Sequence, residues 1–369
     1  MKAATSAVQR PRDARLLVVD AAGRIAHRPR SALADALAPG DIVVANDAAT
    51  WPASLAGTHV ATGAAVEVRL ASRRSLDAGD VRTFAAVVFG AGDHRTPTER
   101  RPLPPALAVG DALELGPLTA HVAAVLGHAR LVELRFAGDA DAILAGIARH
   151  GRPVQYAHVA APLALWDVWT RIAALPAAFE PPSAGFVLDW RLLDRFAARA
   201  IAFATLTHAA GLSSTGDAAL DARLPLDEPY RIPAATVAAI AAARRRGGRV
   251  IALGTTVARA LEHAASRPGG LAAGSGVADN RIGATTRLRV VDAIVSGTHE
   301  PGTSHHALLA AFVAPPTLAR IDAALEAGGY RTHEFGDSVL IERAGERAGR
   351  CTSAAHCRAA RAVDTALAA

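Results

Sequence analysis

Apolar runs of strand length alternate with helical stretches along most of the chain, and one middle section breaks that rhythm. Residues 15–20 read as a strand that turns at Ala21-Ala22-Gly23 into a second short one. Ser31 is expected to cap a helix through Leu37, which Pro39-Gly40 stops. Residues 41–45 then form a buried strand that delivers Asn46 and Asp47 at its carboxyl end. From about His59 to Arg149 the texture changes to short alternating segments, 65–70, 84–89, 112–115 and 131–136, separated by Gly, Asp and Pro turns. Regularly spaced short strands predict a small barrel or sandwich. Gly90-Ala91-Gly92-Asp93 lies inside this section without a following helix and reads as a turn, not a dinucleotide loop.

After His150-Gly151 the alternation returns. Helices are expected over 190–200, 233–246, 256–265, 305–313 and 317–327, and strands over 201–206, 249–253, 288–295 and 338–341. The stretch 269–280 reads as a flexible Gly-rich loop. Such βα alternation predicts an α/β fold with a mostly parallel sheet, helices on its faces, and the all-β block inserted into it. The expected division is 1–58 and 150–345 for the two parts of the α/β domain, 59–149 for the insertion, and 346–369 for an Ala- and Arg-rich tail.

Candidate chemistry gathers where strands end. The apolar run before Ser296-Gly297 leads into a loop carrying His299, and Thr303 or Ser304 can cap the helix that follows. The run 250–253 leads likewise into Gly254-Thr255-Thr256 and a helix, whose first N–H groups and hydroxyls suit a carboxylate, ribose or phosphate. Carboxyl ends of strands are where open α/β sheets bind ligands, so two such units in succession predict a shared crevice. His208 follows another strand and opens a Gly- and hydroxyl-rich loop, which suits acid–base work. His305 and His306 are expected on a solvated helix turn. Among the acids, Asp47 at a strand end stands out from Glu180, Asp227, Glu228 and Asp337, each of which reads as a cap or surface charge.

Composition narrows the classes. No apolar run reaches 18 residues, and the N-terminus lacks an apolar signal core, so no membrane span or secretory signal is expected and a cytoplasmic location is the default. Cys351 and Cys357 with His356 make an incomplete zinc set and read as free thiols in a frayed tail; no metal is expected. Lys2 is the sole lysine, which removes Schiff-base chemistry. The net charge of +6 rests otherwise on arginine, densest at Arg244-Arg245-Arg246 with Arg249. That cluster suits phosphate contact, and a solvated helix end explains it as well.

Several spaced motifs together resemble the S-adenosylmethionine:tRNA ribosyltransferase-isomerases of queuosine biosynthesis. They run in order through Pro39-Gly40-Asp41-Ile42-Val43-Val44 with Asn46-Asp47, Pro182-Ser183-Ala184-Gly185, Phe203-Ala204-Thr205-Leu206 and Glu228 with Tyr230. The longest is Gly247 through Thr256 with Arg259 and Leu261-Glu262, followed by Val290-Val291-Asp292, His299-Pro301 and Phe335-Gly336-Asp337. The resemblance implies a mixed, mostly parallel αβα layered domain with an inserted small β-barrel. It also implies transfer and isomerisation of the ribosyl group of S-adenosylmethionine onto 7-aminomethyl-7-deazaguanine in tRNA, giving epoxyqueuosine. On that reading His299 and His208 transfer protons, and Gly254, Thr255, Thr256, Ser304, Asn46 and Asp47 hold S-adenosylmethionine. Arg244, Arg245, Arg246 and Arg249 meet RNA. The sequence does not give the oligomeric state, and a monomer is favoured. The loops depart from the family: Val187-Leu188 replaces His-Phe, and Gly297, Thr298 and Gly302 replace Asn, Phe and Arg. A paralogue with a small-molecule acceptor and a non-catalytic RNA-binding relative are the alternatives.

Overall fold

The computed structural model describes residues 1–345; the segment 346–369, with Cys351 and Cys357, lies outside the described residues. Nine strands form one sheet in the order Gly274–Ala278, Glu228–Ile232, Ala202–His208, Ile42–Asn46, Val250–Leu253, Ala293–Gly297, Ser338–Glu342, Arg15–Val19, Ile25–Pro29. The run from Ala202–His208 to Ala293–Gly297 is parallel throughout, and antiparallel pairings enter on both flanks. Ile42–Asn46 and Val250–Leu253 are buried along their whole length, which is why they read as unbroken apolar runs.

The pleat sorts their side chains into two cores. Ile42, Val44 and Ala252 pack with Ile240, Leu261 and Ile321 from the helices Ala234–Arg245, Thr255–Ser266 and Pro315–Ala327. Val43, Ala45, Ile251 and Leu253 face the other way, onto Phe196 of the helix Trp190–Ala198 and Leu33 of a 3-10 helix, Arg30–Ala36. The result is the expected αβα layering. No helix among the described residues is long and apolar enough to cross a membrane.

The section between Ser54 and Phe136 closes into a barrel of antiparallel strands, in the order Leu118–His128, Leu131–Phe136, Thr83–Phe89, Ala64–Ser72, Ser54–His59, Ala112–Leu115. Its first strand starts a few residues before the expected insertion boundary. The helix Ala140–His150 lays Ile143 and Ile147 onto the barrel core. Gly146 permits that approach, since a Cβ there would meet Leu118 Cδ2 at 2.3 Å.

Several expected elements differ. Ser31 caps nothing: the 3-10 helix starts after Pro29, without a side-chain cap. The Gly-rich stretch is not all loop, because Gly274–Ala278 pairs along Glu228–Ile232 as the edge strand. Ladder bonds from the partner, rather than any apolar pattern of its own, hold it there. The strand expected over 201–206 runs on to His208, through pairing of Thr207 and His208 with Arg231 and Tyr230.

Candidate active site

A cavity of about 910 Å³ opens at the carboxyl ends of Val250–Leu253 and Ala293–Gly297. Thr98 and Glu99, in the barrel segment, reach its wall, so the insertion helps to shape it. Its size lies at the upper end of the usual range for small-molecule sites.

The floor follows from the two βα turns. Gly254 has φ +106°, a left-handed value that only glycine adopts without strain, and caps the helix Thr255–Ser266. Its N–H is held by the Val295 carbonyl at 2.8 Å, so the turn is tied to the neighbouring strand. Thr255 and Thr256 line the cavity, and the first N–H groups of a helix lack intrahelical partners. On the other strand, Ser296 Oγ lies 2.9 Å from His299 Nε2. The His299 ring sits 4.7 Å from that of His305. Burial, then the neighbouring His305 and His333, hold the His299 pKa well below its ordinary value, so the imidazole is neutral. Ser304 lines the cavity and Thr303 accepts from the His306 N–H as the helix cap.

His305 is not on a solvated turn as expected: it is half-buried and lines the cavity, and burial lowers its pKa. His306 is half-buried as well and pairs with Asp322 at 3.0 Å.

The other anticipated residues lie at one remove or elsewhere. Asn46 is buried behind the floor, where its side chain bonds both backbone groups of His208 and lies 3.4 Å from Thr256 Oγ1. Asp47 accepts from Thr207 Oγ1 at 2.6 Å. His208 is fully buried, because the strand carries it into the core, with Nε2 3.4 Å from Glu228 Oε2. Burial and the Arg259 charge bring its pKa down to about 3. His208 therefore stands neutral behind Glu228, without a place in the cavity lining.

The arginine cluster lies at the far end of the sheet. The helix Ala234–Arg245 ends there and returns through Gly247-Gly248 into the amino end of Val250–Leu253. Arg244 donates to the carbonyls of Arg289 and Val290, and Arg249 pairs with Asp41 at 2.6 Å. Arg245 and Arg246 are exposed.

Tertiary packing adds groups to the cavity that the sequence reading passed over or undervalued. Glu228, read as a turn or surface acid, is buried, pairs with Arg259 and accepts the Gly211 N–H. A Cβ at Gly211 would lie 2.9 Å from Glu228 Oε1, so that approach requires glycine. Glu180 is likewise buried rather than a surface charge, and accepts from the Tyr156 hydroxyl. Burial pushes its carboxyl up to about 7, against the opposing effect of the Tyr156 bond. His158, His333 and Glu334 complete the wall, with His158 Nε2 3.0 Å from Glu334 Oε2.

Comparisons with known proteins place the chain in a family. The chain matches the family profile described as "Queuosine biosynthesis protein" over residues 1–341. It is 34% identical over 328 residues to the S-adenosylmethionine:tRNA ribosyltransferase-isomerase of Pelobacter propionicus, covering 87% of this chain and 90% of that one. The protein of the same name from Gloeobacter violaceus is 35% identical over 343 residues, 90% of each chain. A crystal structure of S-adenosylmethionine tRNA ribosyltransferase from Thermotoga maritima covers 92% of this chain and 95% of its own at 23% identity, with a TM-score of 0.47. With the profile spanning nearly every described residue, the chain belongs to the queuosine biosynthesis protein family.

Proposed function

We propose that the protein is an S-adenosylmethionine:tRNA ribosyltransferase-isomerase. It moves the ribosyl group of S-adenosylmethionine onto the aminomethyl nitrogen of 7-aminomethyl-7-deazaguanine in tRNA and rearranges it to give epoxyqueuosine. The observation that carries this reading is the family relationship over the whole α/β frame together with the cavity at its strand ends. The sulfonium acidifies the ribose 5′ carbon, so the protein must supply a base there, donors to the departing adenine, and a hold on the methionine carboxylate.

The residues divide by position. His299, neutral and tethered to Ser296, has the lone pair a base needs. Glu180, with its proton poised near neutrality, is a second group able to give or take a proton within the same cavity. The turn at Gly254, Thr255 and Thr256, at a helix start, holds the methionine carboxylate, and Ser304 lines the same cavity. Asn46 and Asp47 are positioning residues, acting through Thr256 and the His208 backbone and through Thr207 respectively. His208 supports Glu228 and does not meet substrate. A tRNA substrate fits a cytoplasmic location.

One observation favours a second reading, a small-molecule acceptor: the wall carries Glu99, Glu180, Asp221 and Glu334, a poor lining for a polyanion but suited to a small cationic amine. Adenine release from S-adenosylmethionine, followed by chromatography with and without tRNA bearing the modified base, tests both. Release that requires the tRNA, with the rearranged ribosyl group found on it by mass spectrometry, is the expected result. Release with a free amine alone selects the second reading, and no release under any condition removes the enzymatic assignment.

A further inference from the structure

His158, His333 and Glu334 reach one point of the cavity wall from distant parts of the chain. His158 comes from the irregular segment after the helix Ala140–His150, and the other two from the loop before the strand Ser338–Glu342. One ligand-capable atom from each lies within 4.8 Å of the others. Neighbouring side chains on extended backbone point to opposite sides, which would send His333 and Glu334 apart. His333 instead has φ +69°, a costly value for a residue with a Cβ, and that turn lets both side chains approach His158.

A hydrogen bond alone accounts for only part of the cluster. His158 Nε2 and Glu334 Oε2 satisfy each other at 3.0 Å. His333 stacks its ring on His158 at 4.2 Å, while its Nε2 stands 3.9 Å from Glu300 Oε1, beyond hydrogen-bond range. Two imidazoles and a carboxylate are the donor types that select a first-row divalent ion over magnesium or calcium. Ligand atoms around tetrahedral zinc, each about 2.0–2.2 Å from the metal, stand roughly 3.3–3.6 Å from one another. The His158–Glu334 pair is already close to that spacing. His333, with 39% of its side chain exposed, has to turn out of its stack on His158 so that an in-plane ring nitrogen faces the ion.

We propose that His158, His333 and Glu334 form a binding site for a divalent transition-metal ion, zinc being the type case, with a coordination position open to the cavity. Three protein ligands and an open position are the arrangement that lets a bound zinc ion take water or a substrate atom as its fourth partner. None of its three ligands is among the groups assigned above to proton transfer or to the methionine turn, so adenine release can fail without removing it.

The test uses the full chain carrying Cys351→Ser and Cys357→Ser, so that neither thiol supplies a ligand. After chelator treatment, zinc is titrated calorimetrically and cobalt(II) is followed by its visible absorption. The expected result is one ion per chain and a cobalt spectrum of a nitrogen- and oxygen-ligated, four- or five-coordinate centre. His158→Ala and His333→Ala should each weaken binding at least about tenfold, and Glu334→Gln, which keeps the side-chain shape, should do the same. Far-ultraviolet circular dichroism checks the fold, which the exposed His333 position should tolerate. Absence of stoichiometric uptake, or uptake undiminished in His158→Ala and His333→Ala, overturns the site.

Discussion

Ser296 Oγ lies 2.9 Å from Nε2 of His299, which joins the last turn of the strand Ala293–Gly297 to the loop beyond it. The imidazole is thereby fixed to the sheet rather than carried on a free loop, and burial keeps it neutral. If His299 takes the proton, His299→Ala should lower kcat by about 10²–10⁴-fold, the usual contribution of a positioned base. Its urea midpoint should stay near that of the parent. Ser296→Ala should cost less, about tenfold, because the base remains and only its orientation loosens. Undiminished kcat in His299→Ala would take His299 out of the mechanism.

Glu180 gives the fold a pH dependence of definite sign. Its folded-state pKa of about 7 lies above the ordinary carboxyl value of 4.5, because burial penalises the charged form. Below the lower value both states are protonated and the contribution is fully present. Between the two the unfolded chain has released its proton and the folded one has not, so stability falls as pH rises, by roughly 3 kcal/mol in all. Glu180→Gln keeps the hydrogen bond to Tyr156 available and cannot ionise. Urea unfolding across pH 4.5–7 should show a fall for the parent and a shallower one for the variant. Parallel curves would mean that Glu180 does not titrate in that window.

On the cavity wall, Glu228 and Arg259 form a buried ion pair, and Arg259 also donates to the carbonyls of Leu226, Ala278 and Asn280. Truncating one member leaves a buried charge without its partner. Arg259→Met should therefore cost about 3–5 kcal/mol in urea unfolding. Arg259→Met combined with Glu228→Gln should recover part of that loss, since both charges are then gone. A double variant no more stable than Arg259→Met would assign the loss to the severed carbonyl contacts instead.

How much of this was legible in the sequence depends on which force places each residue. Ile42–Asn46 and Val250–Leu253 stand out because burial on both faces demands an unbroken apolar run, and the barrel strands because one-sided burial demands alternation. Gly274–Ala278 has no such signature: most of it is exposed, and it is a strand only through its partner's ladder. The same limit divides the site. Gly254-Thr255-Thr256 and Ser296 through Ser304 are visible because a strand–turn–helix order announces them. Tyr156 and His158 come from a segment without period, and only packing brings them to Glu180 and Glu334. A short polar pair, His333-Glu334, just before Phe335-Gly336-Asp337 was the one available hint. His208 misled because the strand continues past Leu206 and buries it.

The placement of the arginines makes the RNA contact testable by contrast. Arg245 and Arg246 are exposed at the amino ends of the parallel strands, whereas the cavity opens at the carboxyl ends. Arg281 is exposed at the cavity itself, with one guanidinium nitrogen on the Ala222 carbonyl at 2.8 Å. If the tRNA enters the cavity over the side that carries Arg281, its phosphates meet that guanidinium. Each phosphate neutralised adds about 0.7–0.9 to the slope of log affinity against log salt. Arg281→Ala should therefore weaken tRNA binding and reduce that slope by about one, measured by filter binding over a salt series. Arg245→Ala with Arg246→Ala should leave both quantities unchanged. The reverse result would route the tRNA around the opposite edge of the sheet and restore the arginine cluster as its phosphate contact.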